Sequence, residues 1–200
     1  MQTEIEAKFL HVDHEAMRAC LRKLGARCEQ QNRLMRRKTY DFPDGRLRKE
    51  QNGWARVRDE GNKVTMSYKQ LNDRSFQGTK EVTTTIDSFE AGDELFKALG
   101  LGQTSYQETK RESWTLNGCE IELDEWPWTD TYLEIEGPNE DAVRAIAADL
   151  GLDWNAVLHG SVEVVYIDEY DVTEDDVNSW PELLFTAVPD WLEERRRSRP

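Results

Sequence analysis

Apolar and polar residues alternate with period two through most of the first 136 positions, and that rhythm predicts β-strands. Eight segments carry it: residues 2–10, 33–42, 54–60, 63–69, 78–86, 105–116, 119–125 and 131–136. In the first, Ile5, Ala7 and Phe9 share one face, and Glu4, Glu6 and Lys8 share the other. The same division recurs down the chain. Arg56 and Arg58 oppose Ala55 and Val57; Lys69, in line with Ser67 and Thr65, opposes Val64, Met66 and Tyr68. Glu81, Thr83 and Thr85 oppose Val82 and Ile86; Glu120, Glu122 and Asp124 oppose Ile121 and Leu123; Glu134 and Glu136 oppose Leu133 and Ile135. Short polar turns such as "EGN" at 60–62 and "LNG" at 116–118 join neighbouring strands.

Period 3.6 replaces period two in three places. A helix is predicted over 14–24, with Met17, Cys20, Leu21 and Leu24 on its stripe, Asp13 as N-cap and Gly25 as stop. A second spans 89–99, capped by Asp87 or Ser88, with Leu95, Phe96 and Leu99 buried and Gly100 ending it. A third spans 141–150, capped by Asn139 and ended by Gly151, with Val143, Ile146, Ala147 and Leu150 as its stripe. Paired strands with helices interspersed point to an antiparallel α+β domain.

Composition narrows the class. The chain has 200 residues and no apolar run approaching the ~20 residues of a membrane helix. The first residues show no signal pattern, so a soluble cytoplasmic protein is expected. Three cysteines without a CxxC pair read as reduced thiols. His11 and His14 are too few and too local for a metal cage. A net charge of -14 argues against a nucleic-acid surface. Yet thirteen of the 26 basic residues fall between Arg33 and Lys80, against six acids, which suggests a local anion site.

The polar rows fit two architectures. One is a sheet with a wet face. The other is a closed barrel with helices outside and charged rows facing a lumen, for which eight strands suffice. The signs come in blocks, acids on the first, seventh and eighth strands and bases on the third and fourth. Such blocks repel themselves unless ligands of opposite sign sit between them.

Glu4-x-Glu6-x-Lys8 resembles the ExExK signature of the CYTH superfamily, the triphosphate tunnel metalloenzymes. Arg56-x-Arg58, Lys69, Glu81 in "TKEVT", Arg111 in "KRESW", Asp124 and Glu134-x-Glu136 in "YLEIEG" follow in the family's order over about residues 2–137. "LGLDWNAVLHGSVEVVY" at 150–166 resembles the downstream stretch of bacterial members. The resemblance implies an eight-stranded antiparallel closed β-barrel, a tunnel, with helices packed outside. Members often carry Lys-x-Arg on the sixth strand; here Thr109 stands two before Arg111 and Lys110 falls between them. Either a β-bulge turns Lys110 inward or one phosphate grip is missing.

The resemblance further implies a CYTH-like domain over 1–170. Residues 171–200 lie outside it and read as a helical extension with a basic tail, packing Trp180, Leu184, Phe185 and Trp191 on the barrel. It implies Mg²⁺ or Mn²⁺, since crowded carboxylates and a phosphate suit such hard cations. Glu4, Glu6, Glu134, Glu136 and Glu122 are the candidate metal ligands. Glu134, Glu6, Glu81 and Asp124 are the candidate catalytic groups. Lys8, Arg56, Arg58, Lys69 and Arg111 are the candidate phosphate grips. The expected activity is hydrolysis of inorganic, thiamine or nucleoside triphosphate. A class IV adenylate cyclase, making cyclic AMP and pyrophosphate from ATP, is the alternative, and a non-catalytic polyphosphate or nucleotide binder a third. The partner is a triphosphate-bearing small molecule, with no nucleic acid or membrane; a homodimer is compatible.

Overall fold

The computed structural model describes residues 1–73, 75 and 78–198. Its elements are β1 (Gln2–Thr3), β2 (Glu6–Leu10), α1 (His14–Lys23), β3 (Arg27–Asp41), α2 (Arg46–Gln51), β4 (Gly53–Asp59), β5 (Val64–Leu71) and β6 (Thr79–Ile86). After these come α3 (Phe89–Ala98), β7 (Gly102–Leu116), β8 (Cys119–Glu125), β9 (Tyr132–Glu136) and α4 (Glu140–Asp149). The chain ends with α5 (Glu163–Glu169), α6 (Glu174–Ser179), β10 (Glu182–Leu183) and α7 (Asp190–Glu193).

The predicted helices form where capping chemistry favours them. The Asp13 side chain accepts the N–H groups of Glu15 and Ala16, Ser88 accepts that of Ala91, and Asn139 accepts that of Ala142. Asn117 and Gly118 both take left-handed φ values, +50° and +80°, which is the turn that closes a two-residue hairpin between β7 and β8. β3 and β7 are each 15 residues long and extend beyond the predicted bounds. Their ladder shifts register between Cys28 and Gln30, between Gln30 and Arg33, and between Thr39 and Tyr40. Each shift breaks the period-two rhythm, so the sequence shows only the regular part.

The strands form one curled sheet in the order β1-β6-β5-β4-β3-β7-β8-β9-β2, antiparallel along this path. This corrects the expectation of a closed barrel, because the sheet is not closed. The predicted first strand is split. Gln2 and Thr3 pair with β6, and the Glu4 N–H donates to Thr79 C=O at 3.1 Å. From Ile5 onward the partner is β9, with the Gly137 N–H donating to Ile5 C=O at 3.0 Å. Closure would need β2 to offer its other edge to β6. That edge is already used: Lys8 exchanges two backbone hydrogen bonds with Leu158, both 3.0 Å. The N-terminal segment therefore spans the gap between β6 and β9 without sealing it.

Apolar rows face outward onto helices. Ala7, Phe9, Ile121, Leu123, Leu133 and Ile135 pack with Leu21 of α1 and with Val143, Ile146 and Ala147 of α4. Each buried Val, Leu, Ile or Phe side chain there contributes about 1.5–3 kcal/mol. Ala55, Val57 and Tyr40 pack on Phe89 and Phe96 of α3. Leu95 and Leu99, expected to be buried with Phe96, are instead 49% and 61% exposed, because α3 meets the sheet through Phe89, Gly92 and Phe96. A Cβ on Gly92 would stand 2.6 Å from Ile86 Cδ1 and 3.0 Å from Val57 Cγ2, so glycine sets the closeness of α3 to the sheet.

A further core holds the C-terminal segment against one end of the sheet. Tyr166, Tyr170, Val177, Trp180, Leu183 and Leu192 pack there with Trp126 and Tyr132. β10 runs parallel to β7 on an edge that β8 leaves free. Phe185 and Trp191 lie at the margin of this core, 37% and 46% exposed, with Trp191 against the Trp180 ring at 5.4 Å between centroids. Arg196 donates to Glu169 at 2.9 Å and to the Tyr170 hydroxyl at 2.7 Å, so the basic tail is tied to α5 as far as these contacts reach. Among the described residues, no helix is long and apolar enough to cross a membrane.

Candidate active site

The concave face of the sheet encloses a cavity of about 900 Å³. Alternation aims one row of every strand into it. Glu4, Glu6, Lys8, Arg56, Arg58, Lys69, Glu81, Arg111, Glu122, Glu134 and Glu136 all line it. The sheet thus gathers eleven of the twelve predicted site residues; Asp124 is the exception.

The acidic wall comes from ladder register. Glu6, Glu136 and Glu120 stand in one row across β2, β9 and β8. Lys8, Glu134 and Glu122 form the next row. Like charges directly opposite one another are destabilising without a counter-charge. Glu134 is compensated twice. Its Oε1 lies 2.6 Å from Lys8 Nζ, and its Oε2 accepts from Arg111 Nη2 at 2.7 Å. Burial opposes its charge, but the Lys8 and Arg111 cations hold it well below the usual carboxylate range. Lys8 Nζ also donates to Glu6 Oε1 at 2.9 Å. Burial disfavours the Lys8 ammonium, yet Glu134 and Glu6 raise its pKa above the ordinary value.

Glu122 and Glu136 are different. Burial, only partly offset by Arg111, pushes Glu122 up to about 7. Glu122 Oε2 is sealed from solvent and has no hydrogen-bond partner. Burial and the Glu6 charge push Glu136 up to about 7. A sealed, unsatisfied carboxylate oxygen among further carboxylates is a donor set that fits a hard divalent cation.

Asp124 lies under this wall. It is 1% exposed and accepts from Arg111 Nε at 2.6 Å and from Nη2 at 2.5 Å. Its fork-to-fork grip fixes the Arg111 guanidinium, which does line the cavity.

The opposite wall is basic, with acids threaded through it. Lys69 Nζ lies 2.9 Å from Glu4 Oε2 and 3.1 Å from Glu81 Oε2. Arg56 Nη2 donates to Glu81 Oε1 at 3.0 Å. Burial pushes Glu4 up to about 8, with its hydrogen bond to Glu81 adding to the rise. Burial raises Glu81 as well, but the bond from Glu4 and the Lys69 and Arg56 charges overcome it and hold Glu81 far below the usual range. Of the two, Glu4 is the harder to ionise and Glu81 the easier. Arg58 donates twice to Glu60 Oε1, at 3.0 and 2.6 Å.

Lys110 points away from the cavity. It pairs with Glu125 at 3.2 Å and lies over the Phe185 ring, and no register shift occurs beside it. The bulge alternative is thereby excluded, and buried Thr109 keeps the inward position two before Arg111. Among the cavity residues that escaped the sequence reading as site groups are Arg33, Arg37, Glu60, Trp126 and Tyr132. The run Arg36-Arg37-Lys38 on β3 explains the omission of Arg37, since three adjacent cations conceal which face is inner. Arg36 and Lys38 pair outward with Asp59 and Asp93, while Arg37 turns inward.

A curled antiparallel sheet whose cavity sets carboxylates against guanidinium and ammonium groups defines a charged tunnel protein. The sequence matches the CYTH domain over residues 2–163, and the chain belongs to that family. The family's members are triphosphatases or adenylate cyclases, and they depend on divalent metal. No curated protein matches the chain in sequence. Among solved structures, the PH1012 protein of Pyrococcus horikoshii OT3 is 25% identical, covering 77% of this chain and 93% of that one, with a TM-score of 0.64. A candidate adenylate cyclase from Vibrio parahaemolyticus is 15% identical over 82% of this chain and 97% of that one, with a TM-score of 0.71. HpAC1 from Hippeastrum, a candidate adenylyl cyclase with a dominant triphosphatase activity, is 16% identical over 89% and 95%, with a TM-score of 0.58. The last two likenesses establish the fold alone.

Proposed function

We propose that this protein is a divalent-metal-dependent triphosphatase. One observation carries the reading. A single cavity holds the Glu6–Glu136–Glu120 and Glu134–Glu122 acids on one wall and Arg56, Arg58 and Lys69 on the other. A triphosphate neutralises the second wall, and a cation neutralises the first. Phosphoryl transfer asks mainly for positioning and charge neutralisation, which these side chains supply.

Glu6, Glu122, Glu134 and Glu136 would hold Mg²⁺ or Mn²⁺, with Glu4 at the margin. The bound ion would supply charge neutralisation at the phosphate oxygens and a more acidic water. Arg56, Arg58, Lys69, Lys8 and Arg111 hold the phosphate chain. Asp124 acts through Arg111, and Glu81 aims Arg56 and Lys69. Water is the nucleophile in this reading; the ribose 3′-hydroxyl of ATP would take that role in a cyclase.

One assay separates the outcomes. Tripolyphosphate, thiamine triphosphate and ATP are each incubated with Mg²⁺ or Mn²⁺, and phosphate, pyrophosphate and cyclic AMP are measured. Phosphate release without cyclic AMP is expected. Cyclic AMP with pyrophosphate overturns the hydrolase in favour of the cyclase, and binding without any product overturns the enzyme.

A further inference from the structure

The described residues give every predicted cationic grip of the cavity a carboxylate partner: Lys8, Arg56, Arg58, Lys69 and Arg111 each have one within 3.1 Å. Arg37 on β3 has none among them. Its Nε is sealed from solvent and makes no hydrogen bond, and its guanidinium stacks 4.1 Å over the Trp126 ring. It stands opposite Arg58 in the β3–β4 ladder. Burial, followed by the Arg56 and Arg58 charges, pulls its pKa down to about 9, so the cation persists at neutral pH against its surroundings. An unsatisfied buried donor costs about 1–3 kcal/mol and more when charged. Structural needs do not explain it, since the ring of Trp126 would pack as well on an uncharged side chain.

A second donor beside it has the same character. Arg56 Nε, one strand away on β4, is also sealed and without an acceptor. Two cavity-lining arginines on neighbouring strands thus each keep a guanidinium N–H without an acceptor. On β7, opposite Arg37, stands Gln107, which lines the cavity without a charge, so β3 provides the cation at this part of the wall.

We propose that Arg37 is a phosphate grip for a linear polyphosphate, held ready by its stack on Trp126 and left without a protein counter-ion so that the ligand takes that place. The proposal rests on the cavity being a triphosphate site. A guanidinium held by an aromatic face keeps its fork free for the phosphate oxygens. Absence of an internal carboxylate means that ligand binding there displaces no ion pair, unlike at Arg58 or Lys69.

The test uses the full chain without added metal. Tripolyphosphate affinity is measured by calorimetry, and the melting temperature is measured without ligand, for the wild type, Arg37→Met, Arg37→Gln and Arg37→Lys. The expected result is a loss of affinity of about ten- to a hundredfold for Arg37→Met and Arg37→Gln, partial recovery with Arg37→Lys, and ligand-free melting at or above the wild-type temperature. Unchanged tripolyphosphate affinity in both neutral variants overturns the proposal. Lower melting of all three variants, with affinity lost equally in Arg37→Lys, also overturns it and makes Arg37 a structural prop for Trp126. A wild type that binds no tripolyphosphate at all instead overturns the triphosphate reading itself.

Discussion

Glu134 Oε2 accepts a hydrogen bond from Arg111 Nη2 at 2.7 Å while its other oxygen lies 2.6 Å from Lys8 Nζ. One carboxylate therefore joins the acidic wall to two of the predicted phosphate grips. Glu134→Gln keeps the shape and removes the charge. We expect kcat to fall at least a hundredfold at saturating Mn²⁺, with a folded, cooperatively melting variant. Steady-state kinetics and a thermal melt check both. Full activity at saturating metal would remove Glu134 from the metal site.

Arg58 reaches the cavity from β4 and, among the described residues, is anchored by Glu60. Arg58→Ala should raise KM for tripolyphosphate about tenfold and leave kcat within about threefold, the pattern of lost uniform binding. If neither parameter moves, Arg58 is not a grip.

Asp124 is 1% exposed and holds Arg111 by two bonds. Breaking a buried pair by removing one charge costs about 3–5 kcal/mol. Asp124→Asn should lower the melting temperature by roughly 10 °C and lower kcat, because Arg111 loses its fixed aim. A double variant with Arg111→Met should recover much of the stability and none of the activity. Recovery of both would make the pair purely structural.

Titration gives a prediction with a definite sign. Burial raises Glu4 to about 8 and Glu122 to about 7, and desolvation with the Glu6 charge raises the more exposed Glu136, which contributes less, to about 7, all above their ordinary value near 4.5. Folded protein binds more protons than unfolded protein between those limits. That stability is fully present below about pH 4.5 and is lost as pH rises through 7 to 8. Glu81 and Glu134, held far below the usual range, change their contribution only in acid, outside this window. Melting without metal should therefore fall from pH 5.5 to pH 8. Glu122→Gln should flatten part of that slope, and Mn²⁺ should restore stability most at pH 8. A melting temperature independent of pH over this range would contradict the burial assigned to these carboxylates.

Sequence periodicity reached the site further than it reached the fold. Alternation placed Glu6, Lys8, Glu122 and Glu134 on inner faces because each has one apolar neighbour on either side. It could not fix depth, so Asp124, on the same row as Glu122, lies beneath the cavity instead of lining it. It could not fix Arg37, because cations flank it on both sides. Closure was illegible for a different reason. Whether Glu4 and Ile5 keep one partner or exchange it depends on Leu158 occupying the edge of β2, a contact 150 residues away in the chain. The segment after Asp171 shows no rhythm, and its packing depends on aromatic contacts such as Trp180 with Tyr166, 5.2 Å between ring centroids.

The most direct test is a crystal structure of the protein with Mn²⁺ and tripolyphosphate, read from the anomalous scattering of the metal. The account predicts a manganese peak within bonding distance of Glu122, Glu134 or Glu136 and phosphate oxygens against Arg56, Arg58 and Lys69. Manganese bound outside the cavity, or phosphates seated on the outer surface with the inner ion pairs unchanged, would contradict it.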